Sequence, residues 1–227
     1  MKLSVIIPVL NEEKTIEAVI SQVKLTNLIN EIIVIDDGST DGTKEILKKY
    51  ADDPIVRIIT SEKNEGKGAA VRKGILAAKS EYAIIQDADL EYDPACYPEL
   101  MQPVEKGLAD VVYGSRFLGA ARRPILFWNM VANKILTFTT NILYNDILSD
   151  METGYKLFKV DLIREIPFHS TGFEFEPEFT AKVLKRHLRI YEVPIPFTPR
   201  YYDEGKKIKA WDGFKALWAL IKYRFVD

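Results

Sequence analysis

Three carboxylates follow one apolar run in the first half of the 227-residue sequence. Asp87 and Asp89 flank Ala88, and Glu91 lies two residues further on, just after the apolar residues 82–85. Carboxylates this close together repel one another unless a cation neutralises them. Hard oxygen ligands suit Mg²⁺ or Mn²⁺, which complete their coordination with water and substrate phosphates. The pattern therefore predicts a divalent metal site, and the alternative is a solvated acidic turn.

Two further apolar runs, 31–36 and 56–60, are each followed by polar residues that could contact a ligand. Asp36 and Asp37 lead into a Gly-Ser-Thr turn, where their carboxylates could accept hydrogen bonds from a nucleotide base or a ribose. Lys67 lies in the glycine-containing segment 64–70, at a predicted helix N-terminus, which favours bound phosphate. The segment lacks the order of a P-loop or of a dinucleotide-binding turn, so it is a weak signal by itself.

The elements that must position these residues alternate along the first half. Strands are predicted for the apolar runs 3–8, 31–36, 56–60, 82–86 and 110–114, with helices between them. Strands that are apolar throughout and separated by helices indicate an α/β fold, with a mostly parallel central sheet flanked by helices. Ligands bind at the carboxyl ends of such strands, and the acidic residues lie there.

The second half is less regular, with amphipathic C-terminal helices. Helices are predicted for about 123–144, 175–186 and 211–225, and strands for 152–158 and 189–193. No Asp or Glu occurs from Arg116 to Asn145, and the first of these helices has an apolar face. The residues predicted on that face are Ile125, Trp128, Ile135, Phe138 and Ile142. Such a helix either packs this face on the core or lies in a membrane interface.

Composition narrows the class of protein. Lys and Arg total 31 and Asp and Glu total 33, so the net charge of −2 argues against a nucleic-acid partner. A single Cys excludes an intrachain disulfide, and two His argue against a multi-histidine metal site. No leader or membrane span is recognised. We expect one domain over 1–227, in the cytoplasm and peripheral on a membrane face, with a donor half at 1–115 and an acceptor half at 116–227.

Taken together, these motifs resemble the family 2 glycosyltransferases, which have the GT-A type fold. The resemblance rests on the segments Pro8–Glu12, Asp36–Asp41, Asn64–Gly68 and Gln86–Asp89, in that order. The second half is similar to the dolichyl-phosphate mannose synthase branch of polyprenyl-phosphate hexosyltransferases, through Gly114–Phe117, Asp150–Lys156, Glu192–Ile195 and the segment 200–206.

The resemblance implies a role for each matching residue. The residues implied to bind the nucleotide sugar are Pro8, Glu12, Asp36, Asp37, Lys67, Asp87 and Ala88. Mg²⁺ or Mn²⁺ would be held by Asp87, Asp89 and Glu91, although Glu91 lies where the mannose synthases often have Gln. The residues implied to bind the acceptor phosphate are Arg116, Arg122, Arg123, Arg200 and Lys206. Arg200 and Lys206 fall in a polar segment that would close over the phosphates.

The implied reaction is an inverting transfer of a hexose from a nucleotide sugar, of the GDP-mannose or UDP-glucose type, to a polyprenyl phosphate. Asp89, Arg116 and Asp150 are the predicted catalytic residues. A phosphate oxyanion needs no strong base, whereas a sugar hydroxyl acceptor in glycan synthesis would need a carboxylate such as Asp150 or Glu152. Asp150 could instead orient Arg116. A third hypothesis is a regulatory module that binds nucleotide sugars without turnover.

A second acidic cluster precedes the helix predicted at 175–186. Glu174, Glu176 and Glu178 alternate with Phe at this helix start, where acidic side chains suit the helix dipole. The resemblance implies that Glu178 could also contact the sugar.

Overall fold

A seven-stranded sheet forms the centre of the molecule in the computed structural model, which describes residues 2–200 and 210–226. Its strands are β1 Leu3–Val9, β2 Ile29–Asp36, β3 Val56–Thr60, β4 Tyr82–Ile85, β5 Val111–Ser115, β6 Lys156–Lys159 and β7 Ile190–Pro194. They lie in the order β3-β2-β1-β4-β6-β5-β7. Every adjacent pair is parallel except the two that include β6, which is antiparallel to β4 and β5. The mostly parallel sheet expected from the apolar runs is confirmed.

Helices cover both faces of this sheet. They are α1 Ile16–Leu25, α2 Thr43–Lys48, α3 Lys67–Ala77, α4 Tyr97–Glu105, α5 Phe127–Tyr144, α6 Val160–Arg164, α7 Phe175–Lys185 and α8 Ala210–Phe225. Alternate residues of β1 enter the two cores: Val5 packs in the one that contains α1 and α4, and Ile6 in the one that contains α3 and α7. Burial on both faces explains why the strands are apolar throughout.

Two boundaries differ from the sequence-based expectation. Helix α5 begins at Phe127 and not near 123, because Arg122 forms a β-bridge with Phe197 and the Arg123 backbone N–H donates to the Phe197 carbonyl at 2.9 Å. Strand β6 begins at Lys156 and not at 152, because the chain turns at residues 151–152. The short helix α6 was not predicted.

The face of α5 that was predicted as a possible core face points outward. Trp128 is 76% exposed and Phe138 is 66% exposed, and Ile135 and Ile142 are exposed as well. Asn133 and Thr137 lie on the buried side. The core-packing interpretation of this face is therefore wrong, because α5 uses its polar side to reach the loop at 150–151. Only Ile125, just before the helix, is partly buried against the core.

Helix α8 packs on α5 and α7 and, like α5, exposes large apolar side chains on its outer side. Ala216, Ala219, Leu220 and Tyr223 are buried, whereas Trp218 is 66% exposed. The two helices thus present one set of exposed apolar residues, which we call the apolar face: Phe127, Trp128, Ile135, Phe138, Ile142, Trp211, Phe214, Trp218, Ile221 and Phe225. None of the described helices combines the length and the apolar character needed to cross a membrane.

Candidate active site

A cavity of about 760 Å³ opens at the carboxyl ends of the parallel strands. Residues that follow β1, β2, β4 and β5 line it, together with the N-terminal ends of α3 and α7 and with parts of α5 and α8. The predicted residues that line it are Pro8, Glu12, Asp37, Lys67, Asp87, Ala88, Asp89, Glu91, Arg116 and Arg200. Motifs separated by up to 192 positions in the chain therefore meet in one site, as the strand-end argument predicted.

Asp37 shapes one wall of the cavity. Its carboxylate accepts hydrogen bonds from the backbone N–H groups of Glu65, at 3.0 Å, and Gly66, at 2.7 Å. Gly66 has φ +101°, and a Cβ there would lie 2.3 Å from the Thr171 carbonyl oxygen, so the close approach requires glycine. Asp36 does not line the cavity: it is fully buried, and its Oδ1 accepts from the Ser39 N–H at 2.9 Å. Asp36 therefore supports the turn from outside the cavity lining.

Charges alternate along the floor of the cavity at the start of α3. Lys67 Nζ lies 2.7 Å from Asp87 Oδ1 and 3.3 Å from Glu176 Oε1. The other oxygen of Glu176 pairs with the fully buried Lys156. Burial alone would lower the pKa of Lys67, but the Asp87 and Glu176 carboxylates raise it above its ordinary value. Lys67 therefore keeps a fixed positive charge beside Asp87.

Glu176 was not predicted as a residue of the site. Sequence analysis placed it at the helix start with Glu174 and Glu178. The signal for an inward-facing carboxylate was its position between Phe175 and Phe179 of α7, which are both buried. Glu178, for which the resemblance implied a sugar contact, does not line the cavity. It is fully buried and pairs with Lys182 at 2.8 Å.

A second charged group covers the carboxylates after β4. Arg200 Nη2 lies 2.9 Å from Asp89 Oδ2, and Arg200 Nη1 lies 3.1 Å from Glu12 Oε2. The backbone N–H of Arg200 donates to Glu91 Oε1 at 2.6 Å. Burial and the neighbouring Asp87 and Glu91 carboxylates raise the pKa of Asp89 to about 7. The structure thus places Arg200 against the predicted metal ligands, while Lys206 lies outside the described residues.

The carboxylates after β4 fit a divalent cation only in part. Within residues 2–200 and 210–226, no group of three or more His, Cys, Asp or Glu side chains could hold a metal by itself. The expected three-carboxylate ligand set is therefore not assembled, and Glu91 is engaged by Arg200. The raised pKa of Asp89 reflects an excess of negative charge that a cation would relieve. Asp87 and Asp89 fit Mg²⁺ or Mn²⁺ if phosphate and water oxygens complete the coordination.

Arg116 lies at the other end of the cavity and is held rigidly. Its Nε and Nη2 each donate to the Asp150 carboxylate at 2.7 Å, and its backbone N–H donates to the same carboxylate at 3.0 Å. Asn133 Nδ2 adds a fourth hydrogen bond at 2.9 Å. Burial alone would raise the pKa of Asp150, but Arg116 holds it below its usual value. Asp150 is fully buried and absent from the cavity lining, and its contacts are those of a residue that positions Arg116.

Arg122 and Arg123 do not join Arg116. Neither lines the cavity: the Arg122 guanidinium lies 4.9 Å from the Phe117 ring, and Arg123 Nη1 donates to the Pro199 carbonyl at 3.4 Å. The structure thus places both residues outside the cavity, because the β-bridge at 122–197 directs this segment elsewhere, and their contact with the acceptor phosphate stays a prediction.

Glu152 lines the cavity, and its carboxylate is poorly supplied with hydrogen-bond partners among the described residues. Its Oε1 is buried and has no hydrogen-bond partner within the described part of the chain. Burial, followed by the nearby Glu176 carboxylate, raises the pKa of Glu152 to about 7. Two residues further on, a Cβ at Gly154 would lie 2.3 Å from Asp87 Oδ2, so the loop carrying Glu152 passes close to the predicted metal ligands.

The same fold occurs in solved structures. Glucosyl-3-phosphoglycerate synthase from Mycobacterium tuberculosis superposes with a TM-score of 0.78 at 23% identity, over 100% of this chain and 81% of that one. The described fold is thus that of the GT-A glycosyltransferases, as predicted.

The family follows from the sequence comparison. The family model for glycosyl transferase family 2 matches residues 4–167, and the chain belongs to this family. A dolichol-phosphate mannosyltransferase of Pyrococcus furiosus is 28% identical over 91% of this chain and 59% of its own length. A low-salt glycan biosynthesis hexosyltransferase of Haloferax volcanii, Agl6, is 33% identical over 99% of this chain and 53% of its own length. The chain therefore spans between half and three fifths of these two relatives.

Proposed function

We propose that this chain transfers a hexose from a nucleotide sugar to a polyprenyl phosphate at a membrane surface. The observation that carries the proposal is the position of Trp128, which lines the cavity and is also 76% exposed on the apolar face. Trp128 therefore joins the apolar face to the cavity that contains Arg116. A lipid with a phosphate head and an apolar tail matches this arrangement. The similarity to the dolichol-phosphate mannosyltransferase of P. furiosus supports the same acceptor class.

The donor is assigned to the end of the cavity at Asp37, Lys67 and Asp87. Asp37 and the adjacent glycine turn offer acceptors and close backbone approach for a nucleoside, and Lys67 offers a charge for the diphosphate. A divalent cation at Asp87 and Asp89 would neutralise the leaving diphosphate. The M. tuberculosis structural neighbour has been crystallised with Mn²⁺ and UDP, which supports a nucleotide-sugar donor with such a cation.

The chemistry follows from holding two anionic substrates in line. Arg116, fixed by Asp150, binds the acceptor phosphate and aims one of its oxygens at the anomeric carbon. That oxygen forms the new bond as the bond to the donor diphosphate breaks on the opposite face, so the configuration inverts. The phosphate oxyanion carries no proton that must be removed. Lys67 stabilises the charge that develops on the departing diphosphate.

The apolar face supplies membrane contact in this proposal. Its aromatic side chains and the basic residues around α5 suit the interface of a bilayer with acidic lipids. Binding there brings the mouth of the cavity to the depth at which a polyprenyl phosphate presents its headgroup.

The test is a transfer assay with polyprenyl phosphate in lipid vesicles, Mg²⁺ or Mn²⁺, and labelled GDP-mannose or UDP-glucose. We expect label in the organic phase with one of these donors. Arg116→Met should lower its rate of appearance at least about tenfold, because a charged hydrogen-bond partner of the phosphate is lost. Arg122→Met is the matched control, since it removes an exposed arginine outside the cavity. Lipid product from neither donor, or equal loss in both variants, would refute the proposal.

A second candidate function is transfer to a sugar hydroxyl. It is favoured by Glu152, whose cavity-facing carboxyl has a pKa of about 7, as a general base requires. Product in the aqueous phase with oligosaccharide acceptors, and none with polyprenyl phosphate, would support it.

A further inference from the structure

Glu152 lines the cavity together with Glu176 and Arg116. The loop that carries it passes close to Asp87, because a Cβ at Gly154 would lie 2.3 Å from Asp87 Oδ2. In the proposed function, Glu176 contacts Lys67 at the donor end of this cavity and Arg116 marks the acceptor end. A group beside Glu152 would therefore lie near both the donor diphosphate and the acceptor phosphate. In the proposed reaction, that group is the transferred hexose.

The Glu152 carboxylate can accept hydrogen bonds that the described part of the chain does not supply. Its Oε1 is buried without a hydrogen-bond partner among the described residues, a state that costs free energy unless a ligand satisfies it. A phosphate does not suit this place, because two anions would repel. A hexose suits it, since its polar groups beyond the anomeric position are hydroxyls that can donate.

We propose that Glu152 binds hydroxyl groups of the transferred hexose and so contributes to the choice of donor sugar. This inference rests on the proposed function and deepens it. It assigns Glu152 a binding role in the donor complex before any acceptor arrives. A general base would act later, on the acceptor, and would leave donor binding unchanged.

The consequence is a difference between two ligands that share every group except the sugar. Glu152 should contribute to the affinity for a nucleotide sugar and not to that for the matching nucleoside diphosphate. A hydrogen bond to a charged group, with its partner left unpaired on removal, corresponds to about a ten- to hundredfold change in Kd. The ratio of the two dissociation constants therefore isolates the sugar contact from changes elsewhere in the site.

The experiment is calorimetric titration of the full chain with UDP-glucose and UDP, and with GDP-mannose and GDP, each in the presence of Mg²⁺. Wild type, Glu152→Ala, Glu152→Gln and the control Glu165→Gln are compared, the last removing an exposed carboxylate outside the cavity. We expect Glu152→Ala to weaken nucleotide-sugar binding about ten- to hundredfold, with nucleoside diphosphate binding unchanged. Glu152→Gln keeps one oxygen acceptor and the side-chain shape, so it should fold and lose part of this affinity.

Each other outcome overturns the inference in a recognisable way. If nucleotide-sugar and nucleoside diphosphate affinities both stay unchanged, the donor site stands and Glu152 does not contact the sugar. If both fall equally, Glu152 supports the site as a whole and is not a sugar ligand. If wild type binds none of the four ligands, the proposed donor is wrong and the role of Glu152 fails with it.

Discussion

The pair formed by Arg116 and Asp150 offers a sharp test of how the site is held. Asp150→Asn keeps the size of the side chain and removes the charge that faces the guanidinium. Asp150 is fully buried and the Arg116 side chain is 15% exposed, so solvent cannot replace the lost partner on the Asp150 side. Breaking a buried ion pair by removing one partner costs about 3–5 kcal/mol. We expect about 3 kcal/mol, the low end, because Arg116 also borders the cavity and Asn retains one acceptor.

Urea unfolding and thermal unfolding measure this loss. For a chain of 227 residues, about 3 kcal/mol corresponds to a fall in Tm of roughly 6–12 °C. The difference should also depend on pH. The pKa of Asp150 is depressed in the folded state, so its contribution is present above the unfolded value, near 3.8, and is lost as the pH falls below it. The gap between wild type and variant should therefore shrink in acid.

A matched control and a double-mutant cycle complete the design. Asp146→Asn removes an exposed carboxylate four residues away and should change the free energy of unfolding by less than about 0.5 kcal/mol. Arg116→Met combined with Asp150→Asn should cost less than the sum of the single changes, because neither charge is then left alone. A loss below about 1 kcal/mol for Asp150→Asn, or strict additivity in the cycle, would contradict this account of how Arg116 is held.

Three further predictions concern other parts of the molecule. Burial raises the pKa of Glu152 to about 7, so the folded state loses stability as the pH rises from the unfolded value, near 4.5. The free energy of unfolding in urea should then be up to about 3 kcal/mol higher for Glu152→Gln than for wild type at pH 8. At pH 4.5 the two free energies should be equal. Trp218→Gln should reduce sedimentation with acidic vesicles. Leu76→Gln should not, since Leu76 is a comparably exposed apolar residue outside the apolar face. Gly66→Ala should destabilise the fold by about 1–3 kcal/mol in thermal unfolding, because its Cβ would lie 2.3 Å from a carbonyl oxygen; an unchanged Tm would contradict the required close approach.

The residues that sequence reasoning located correctly are those whose role depends on local structure. Asp37, Asp87 and Asp89 each lie one to four residues after the end of a strand, and parallel strands bring their carboxyl ends to one edge of the sheet. The rule needs only the strand positions, which the continuous apolar runs made plain. It failed at Asp36, since alternation along the strand turns neighbouring side chains to opposite faces.

The residues that were missed depend on contacts far apart in the chain. The partner of Lys67 at Glu176 is 109 positions away and lies on a helix whose acidic start suggested only a favourable dipole. The fully buried Lys156, which pairs with Glu176, is equally invisible to a pattern of apolar residues. Such ion pairs form because several elements converge on the cavity, and no spacing within one element records that convergence.

Helix α5, whose apolar side faces outward, shows the same limit of sequence-based prediction for a whole helix face. Period and composition established that one side of α5 is apolar, but periodicity alone does not say which side meets the core. The core side was decided by polar contacts: Asn133 Nδ2 donates to Asp150 Oδ1 at 2.9 Å, and the Met151 N–H donates to Thr137 Oγ1 at 3.2 Å. The same contacts that fix Arg116 therefore turn the aromatic side of α5 outward. In the proposed function Arg116 binds the acceptor phosphate, and the apolar surface of α5 beside it would then suit an acceptor with a charged head and an apolar tail.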